Sequence, residues 1–259
     1  MSEQHIVTEI NDAVMTIRMN RADKKNALTS AMYEGLAAGF RAAAADPAVR
    51  VVLLTGSGDS FSAGNDLVDF LKNTPTDAAS SPVMIFMATM AAFPKPVVAS
   101  VNGLAIGVGV TMLLHSDLVY ATAGARFQLP FTNIGICPEF ASSLLMPTMI
   151  GHQRAAELLM LGEVFDANKA REALIVNEVL ADVEQLNARA RAVASQLAQQ
   201  PPNALRTTKA LLKRWPQAAV AEAIKFEAEH FMPMLKMPEA LEAIGAFMQK
   251  RKPDFSKFS

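Results

Sequence analysis

Apolar and polar positions change their rhythm near the middle of this chain. In the first half, short apolar runs alternate with turn residues; from about residue 141 the apolar spacing becomes mostly helical. "HIVTEI" and "AVMTIRM" flank "ND" and predict two strands joined by a tight turn. Thr29 or Ser30 is placed to cap a helix through "AMYEGLAAGFRAAAA" that stops before Asp46-Pro47. "RVVLLTGSG" is a continuous apolar run of the kind buried on both faces of a helix-covered sheet. "DFLKNTPTDAASSP" (69–82) has no period and is expected to be a surface loop. "VMIFMATMAAF" predicts a helix with Met84, Met87 and Met90 on one face, suited to core packing and also to flexible apolar ligands.

Further strands are expected in "PVVASVNG" and "DLVYATAGARFQL", with a small-residue turn entering a helix in "LAIGVGVTMLLHS" between them. The second half predicts helices, interrupted by one strand in "IVNEVL". No internal repeat and no linker divides the chain, so the expectation is an α/β fold in one continuous unit: a core over 1–195 and a helical extension over 196–259.

Composition narrows the function classes. The 24 Lys+Arg balance 25 Asp+Glu, which leaves no footprint for a phosphate backbone, so no nucleic-acid partner is expected. Cys137 is the only cysteine and needs no oxidising compartment. "MSEQHIVTEI" lacks a basic start followed by an apolar run, apolar stretches stop short of membrane-spanning length, and "DFSKFS" does not end in Ser-Lys-Leu, so a cytoplasmic protein without a membrane partner is expected.

Glycine clusters carry the next information. "GSGDSF" has Phe61 where a dinucleotide fingerprint needs its third glycine, and "GLAIGVG" lacks the Gly-Lys-Ser/Thr ending of a phosphate loop. Nicotinamide chemistry and a nucleotide triphosphatase are therefore not expected, and no cofactor is expected. "FSAGNDL" (61–67) and "NGLAIGVGV" (102–110) each follow a strand, and the second opens a helix whose free N–H groups favour developing negative charge. Two such turns can form an oxyanion hole, or they are simply turns that need glycine.

One acidic residue stands apart. Glu139 is the only Asp, Glu, Lys or Arg between Arg126 and Arg154. An isolated carboxylate in an apolar stretch is costly unless it is paired, neutralised or used. Ile134, Ile136, Phe140, Leu144 and Leu145 are its expected apolar surroundings, which would raise its pKa, while a following helix "FASSLLM" would oppose that rise. Cys137 reads as a buried structural thiol, Asp66 as a turn cap, His115 as a cation at a helix C-terminus, and Arg206, Lys209, Lys213 and Arg214 as a solvated helix face.

The ordered run "VMTIRMNRADKKNALT", "FSAGNDL", "PKPVVASVNGLAIGVGV" and "SDLVYATAGARFQLP" resembles the crotonase superfamily of enoyl-CoA hydratases and isomerases along nearly the whole chain. The resemblance implies a spiral of ββα turns, a trimer or dimer of trimers built through the helical extension, and an acyl-CoA thioester substrate. It implies that the backbone N–H groups of Asn65 and Val108 hold the thioester oxygen. Ala63, Gly64, Asn65, Asp66 and Leu67 would line the CoA site, with Lys24 or Lys25 near its adenine or phosphates. The two glutamates of typical hydratases correspond here to Thr111 and Phe131. "PFTNIGICPEFASSLLMP", "SAGNDL" and "PPNALRTTKALLKR" instead resemble the peroxisomal-type Δ3,Δ2-enoyl-CoA isomerases, which implies Glu139 as a single base. Another crotonase-type acyl-CoA enzyme, such as a weak hydratase or lyase, and a non-catalytic acyl-CoA-binding protein are the alternatives; the last expects position 139 to face solvent.

Overall fold

The computed structural model describes residues 4–72, 81–249 and 251–258. Strands β1 (Ile6–Asn11) and β2 (Val14–Met19) pair antiparallel around Asp12 and Ala13, both at positive φ as a two-residue hairpin turn requires. Helix α1 (Ser30–Ala45) follows, and its cap is Thr29, whose hydroxyl accepts the Met32 N–H at 3.3 Å. Then come β3 (Val51–Gly56), β4 (Ser60–Ser62), α2 (Leu67–Lys72) and α3 (Pro82–Ala91). The next turn of the chain repeats the order with β5 (Val97–Val101), β6 (Leu104–Ile106) and the short α4 (Val108–Thr111), which runs into a 3-10 turn over Met112–His115. A third turn begins with β7 (Leu118–Thr122) and β8 (Arg126–Gln128) and continues into α5 (Ser142–Ile150) and α6 (His152–Leu161). After β9 (Phe165–Asp166), α7 (Ala167–Glu172) and β10 (Glu178–Leu180), the chain closes with α8 (Val183–Gln199), α9 (Pro202–Arg214), α10 (Gln217–Met234) and α11 (Pro238–Met248).

Each turn thus places one strand in each of two sheets. The larger has the order β1-β2-β3-β5-β7-β10 and is parallel from β2 onward; the smaller has the order β4-β6-β8-β9. Alternation along β3 explains why it reads as unbroken hydrophobic sequence. Val52 and Leu54 enter the main core with Ile17, Leu36 and Phe40, while Val51 and Leu53 pack with Val98, Tyr120 and Leu186 beneath α8.

Four expectations are revised. Part of the loop predicted over 69–82 is helical, because the Asp66 carboxylate accepts the N–H groups of Val68 and Asp69 and so starts α2; residues 73–80 lie outside the described residues. The 195/196 division falls inside α8, which runs on to Gln199. Within "IVNEVL" only Glu178–Leu180 is strand, Ile175 and Val176 being core residues ahead of it. The basic run on α9 is not uniformly solvated. Lys209 is 5% exposed; its Nζ donates to the Lys95 carbonyl at 2.6 Å and pairs with Asp117 at 2.7 Å, which fastens α9 to the starts of β5 and β7. Burial depresses its pKa to about 8, against the pull of Asp117. Lys213 donates to the His115 carbonyl, whereas Arg206 and Arg214 are exposed.

Candidate active site

Two glycine turns from successive coils of the spiral meet backbone to backbone. A methyl group on Gly64, at φ +86°, would stand 2.8 Å from the Ile106 carbonyl oxygen, and one on Gly109 would stand 2.8 Å from the Ser62 carbonyl oxygen. Only glycine permits this approach. The N–H of Asn65 lies one residue past Gly64, and the N–H of Val108, the first residue of α4, lies two residues past Ile106. Among the described residues neither group donates a hydrogen bond, although the flanking Leu28 N–H to Gly64 and Asp66 N–H to Leu28 bonds are made at 2.7 and 2.9 Å. The Asn65 side chain is held from the other side, its Oδ1 accepting from the hydroxyl of the buried Tyr33.

The loop bearing Lys24 and Lys25 is joined to the first turn. Asn26, fully buried, donates from Nδ2 to the carbonyls of Ser57 and Ser60, and the Ala63 N–H donates to the Lys25 carbonyl. Arg21 pairs with Asp66 at 2.7 Å. Asp66 is therefore committed at both oxygens as a cap and an ion-pair partner; although its burial opposes this, the Arg21 and backbone bonds leave its pKa below the usual carboxylate range. Ala63 and Leu67 flank this turn half-buried, Lys24 is exposed, and Lys25 pairs with the exposed Asp59.

Glu139 is 5% exposed and lines a small cavity with Met84 and Met87 of α3, Phe140, and Ile224 and Glu227 of α10. Of the apolar neighbours expected from the sequence, only Phe140 lines this cavity; Ile134, Ile136, Leu144 and Leu145 do not. Among the described residues the Glu139 Oε1 has no hydrogen-bond partner. Burial, with the negative charge of Glu227 adding to it, raises the Glu139 pKa to about 8. The expected opposition from the α5 N-terminus is absent, because those N–H groups are turned to another carboxylate. Glu227 Oε2 accepts the Ala141 N–H at 2.6 Å, and its Oε1 accepts the Ser143 N–H at 3.0 Å and the Ser143 hydroxyl at 2.5 Å.

The turn that presents Glu139 is strained and held. Phe140 and Ala141 adopt φ of +59° and +57°, conformations that cost of order 1 kcal/mol or more for a residue with a side chain. Glu227 takes the Ala141 N–H, and His115 Nε2 lies 2.8 Å from the Phe140 carbonyl with its ring stacked on Phe140. Facing a carbonyl, that nitrogen carries the proton. His115 is buried, and burial lowers its pKa to about 3, so it is a neutral clamp; the expected cation at a helix end is not what the fold makes of it.

Thr111 and Phe131 are both buried, and neither is ionisable in the useful range. Cys137 donates from Sγ toward the Glu227 carbonyl at 3.7 Å, and burial raises its thiol pKa to about 11, which makes it an inert structural group. Tyr33 and Glu227 were not singled out by the sequence. Tyr33 had no local signal, whereas Glu227 interrupts the apolar stripe Val220, Ile224, Phe231 at helical spacing, a polar residue where the pattern calls for an apolar one.

A sequence model described as enoyl-CoA hydratase/isomerase matches residues 9–257. The chain is 33% identical over 253 residues to "Enoyl-CoA delta isomerase 2" of Rattus norvegicus, a match that covers 96% of this chain and 64% of that protein's length. It is 31% identical over 255 residues to "2,3-dehydroadipyl-CoA hydratase" of Escherichia coli K12, covering 98% and 99% of the two chains. Among solved structures, an enoyl-CoA hydratase/isomerase from Pseudoalteromonas atlantica superimposes with a TM-score of 0.92 at 38% identity, covering 97% of this chain and all of that one.

Proposed function

The chain belongs to the enoyl-CoA hydratase/isomerase family, whose substrates are acyl-CoA thioesters, and from this premise we propose that it is a Δ3,Δ2-enoyl-CoA isomerase with Glu139 as its base. The observation that carries the reading is the state of the carboxylates. Water addition needs a pair of proton-handling groups, and Thr111 and Phe131 stand where the hydratase pair would be. Among the described residues one buried carboxylate with an unpartnered oxygen remains, and a double-bond shift needs only one base.

In this mechanism the Glu139 carboxylate removes a proton from C2 of a 3-enoyl-CoA. That proton is acidified by the thioester on one side and the alkene on the other. The electron pair moves into a dienolate whose charge rests on the thioester oxygen, held by the N–H groups of Asn65 and Val108. The protonated Glu139 then delivers the same proton to C4, leaving the double bond between C2 and C3. Each oxyanion donor is worth about 3 to 4 kcal/mol in comparable sites. A raised carboxyl pKa suits both halves of the transfer, since the group must accept a carbon-bound proton and give it back.

The acyl chain has a place to go. Met84 and Ile224 line both the Glu139 cavity and an adjoining, largely apolar cavity of about 400 Å³ between α3, α5 and α10. We assign the CoA moiety to the side of Ala63, Gly64, Asp66 and Leu67, with Lys24 and Lys25 near its nucleotide. Self-association into trimers is part of the proposal; Leu211 and Leu212 of α9 and Trp215 just past its end offer apolar surface at 58, 75 and 83% exposure.

The test is a side-by-side assay of the purified protein on 3-hexenoyl-CoA and crotonyl-CoA. Isomerisation of the first with little hydration of the second, and loss of about 10²–10⁴ in turnover on Glu139→Gln with acyl-CoA binding retained, is the expected result. Near-wild-type turnover by that variant would exclude Glu139 as the base.

A further inference from the structure

Glu227 is the feature of this site that the reaction scheme above does not use. It lies 88 positions beyond Glu139, on α10, yet both carboxyls line the same cavity. Its two oxygens receive three donors, the Ala141 and Ser143 N–H groups and the Ser143 hydroxyl. Helix α5 has no side-chain cap of its own at Ala141, so Glu227 caps it from another helix. An N-terminal helix end and three donors favour the ionised carboxylate and oppose burial, which still leaves the Glu227 pKa above its ordinary value. Glu139 has the opposite surroundings, with one oxygen bare and no cation lining its cavity among the described residues.

We propose that Glu227 is a positioning residue for Glu139, fixing the left-handed Phe140–Ala141 turn that presents the base and placing the more readily ionised of the two carboxyls across the cavity from it. This rests on the reading of Glu139 as the base. Two carboxylates in one poorly hydrated cavity do not both ionise readily, and the proton goes to the one without donors. That Glu227 contributes to the raised proton affinity of Glu139 agrees with this division. The other titratable groups about Glu139 do not compete for the role. Tyr33 on α1 is neutral, its pKa raised far above the ordinary value first by burial and then by Glu139. His115 is neutral, Cys137 is a high-pKa thiol, and among the described residues α3 and its N-cap present Ser81, Val83, Met84 and Met87 to the cavity. The consequence is that the helical extension has a part in the chemistry, because the charge that strengthens the base arrives with α10.

The experiment is a titration of Glu139 in the full-length protein by isotope-edited infrared difference spectroscopy, with Glu139→Gln identifying the signal. Glu227→Gln is expected to lower the Glu139 midpoint by about one pH unit or more, and to move the acid limb of kcat on 3-hexenoyl-CoA by the same amount with KM unchanged. Glu227→Asp, which keeps the charge, is expected to retain most of the wild-type midpoint. An unchanged midpoint in Glu227→Gln, with only its melting temperature lowered, would reduce Glu227 to a helix cap and overturn the proposal. Should Gln fail to fold, Glu227→Met, which removes the buried charge and keeps the volume, is read on the same criterion. If the midpoint moves while Glu139→Gln still isomerises 3-hexenoyl-CoA, the electrostatic relation stands and it is the assignment of the base that falls.

Discussion

The hydroxyl of Tyr33 donates to the side-chain oxygen of Asn65, tying helix α1 to the turn whose backbone N–H has no acceptor among the described residues. Tyr33 is buried and its ring packs against Phe86, which in turn meets Phe140 beside Glu139. One aromatic series therefore connects the two ends of the proposed site.

Tyr33→Phe keeps that series and removes only the hydroxyl. A net hydrogen bond is worth about 1 kcal/mol, so the expected loss in kcat on 3-hexenoyl-CoA is roughly fivefold. KM and the fold, followed by circular dichroism, are expected to stay near wild type. An unaltered kcat would mean that the Asn65 turn is held by its backbone bonds alone.

Stability should depend on pH through Glu139 and His115 in opposite senses. The folded Glu139 binds its proton up to about pH 8, against an ordinary 4.5, so unfolding grows easier as pH rises between those values. The slope is about 1.4 kcal/mol per pH unit for one such group. His115 titrates near 3 when folded and at an ordinary 6.5 when unfolded, so its contribution is lost as pH falls from about 6.5 toward 3. The two slopes cancel between about 4.5 and 6.5, and above 6.5 only the Glu139 slope remains. Denaturant melts of Glu139→Gln at pH 6.5 and 8 are expected to differ less than those of the wild type.

Chain length should answer to the wall shared by the two cavities. Ile224→Trp places a larger side chain between the Glu139 cavity and the 400 Å³ space beyond it. Turnover of a twelve-carbon 3-enoyl-CoA is expected to fall at least tenfold relative to 3-hexenoyl-CoA, measured as a ratio of kcat/KM values. A ratio equal to that of the wild type would place the acyl tail elsewhere.

The exposed edge of α9 should carry self-association. Leu212→Asp with Trp215→Asp puts charge on the most exposed apolar positions at the end of that helix and its C-cap. Light scattering after size exclusion is expected to give a trimeric mass or a multiple for the wild type and a monomeric mass for the double variant. A monomeric wild type would refute the assembly proposed here.

Much of this arrangement could be read from sequence, for physical reasons that also mark where reading stopped. The β3 run and the Thr29 cap are local signals, each with its own stereochemistry, and both appear where expected. The isolation of Glu139 was visible because no other formal charge lies within a dozen residues of it. Its true surroundings were not visible, since Met84, Met87 and Ile224 reach it from distant helices. Lys209 and His115 were misread for one reason: both are polar residues drawn into the interior by partners far along the chain, Asp117 and the Phe140 carbonyl. Glu227 did leave a trace, a carboxylate in the apolar stripe of α10, and a charge at such a position asks for a buried partner.

The meeting of the Gly64 and Gly109 turns has a bearing on how such a protein can diverge. Its two donors, unpartnered among the described residues, belong to the main chain, and the side chains at 65 and 108 are not what supplies them. Mutation can therefore rewrite the walls of the pocket, or relocate its acid, without dismantling the part that receives charge. A library randomised at Thr111, Phe131 and Glu139 on this one scaffold would sample new reactions from an intact starting point, whereas a library at Gly64 and Gly109 would sample mainly ruined folds.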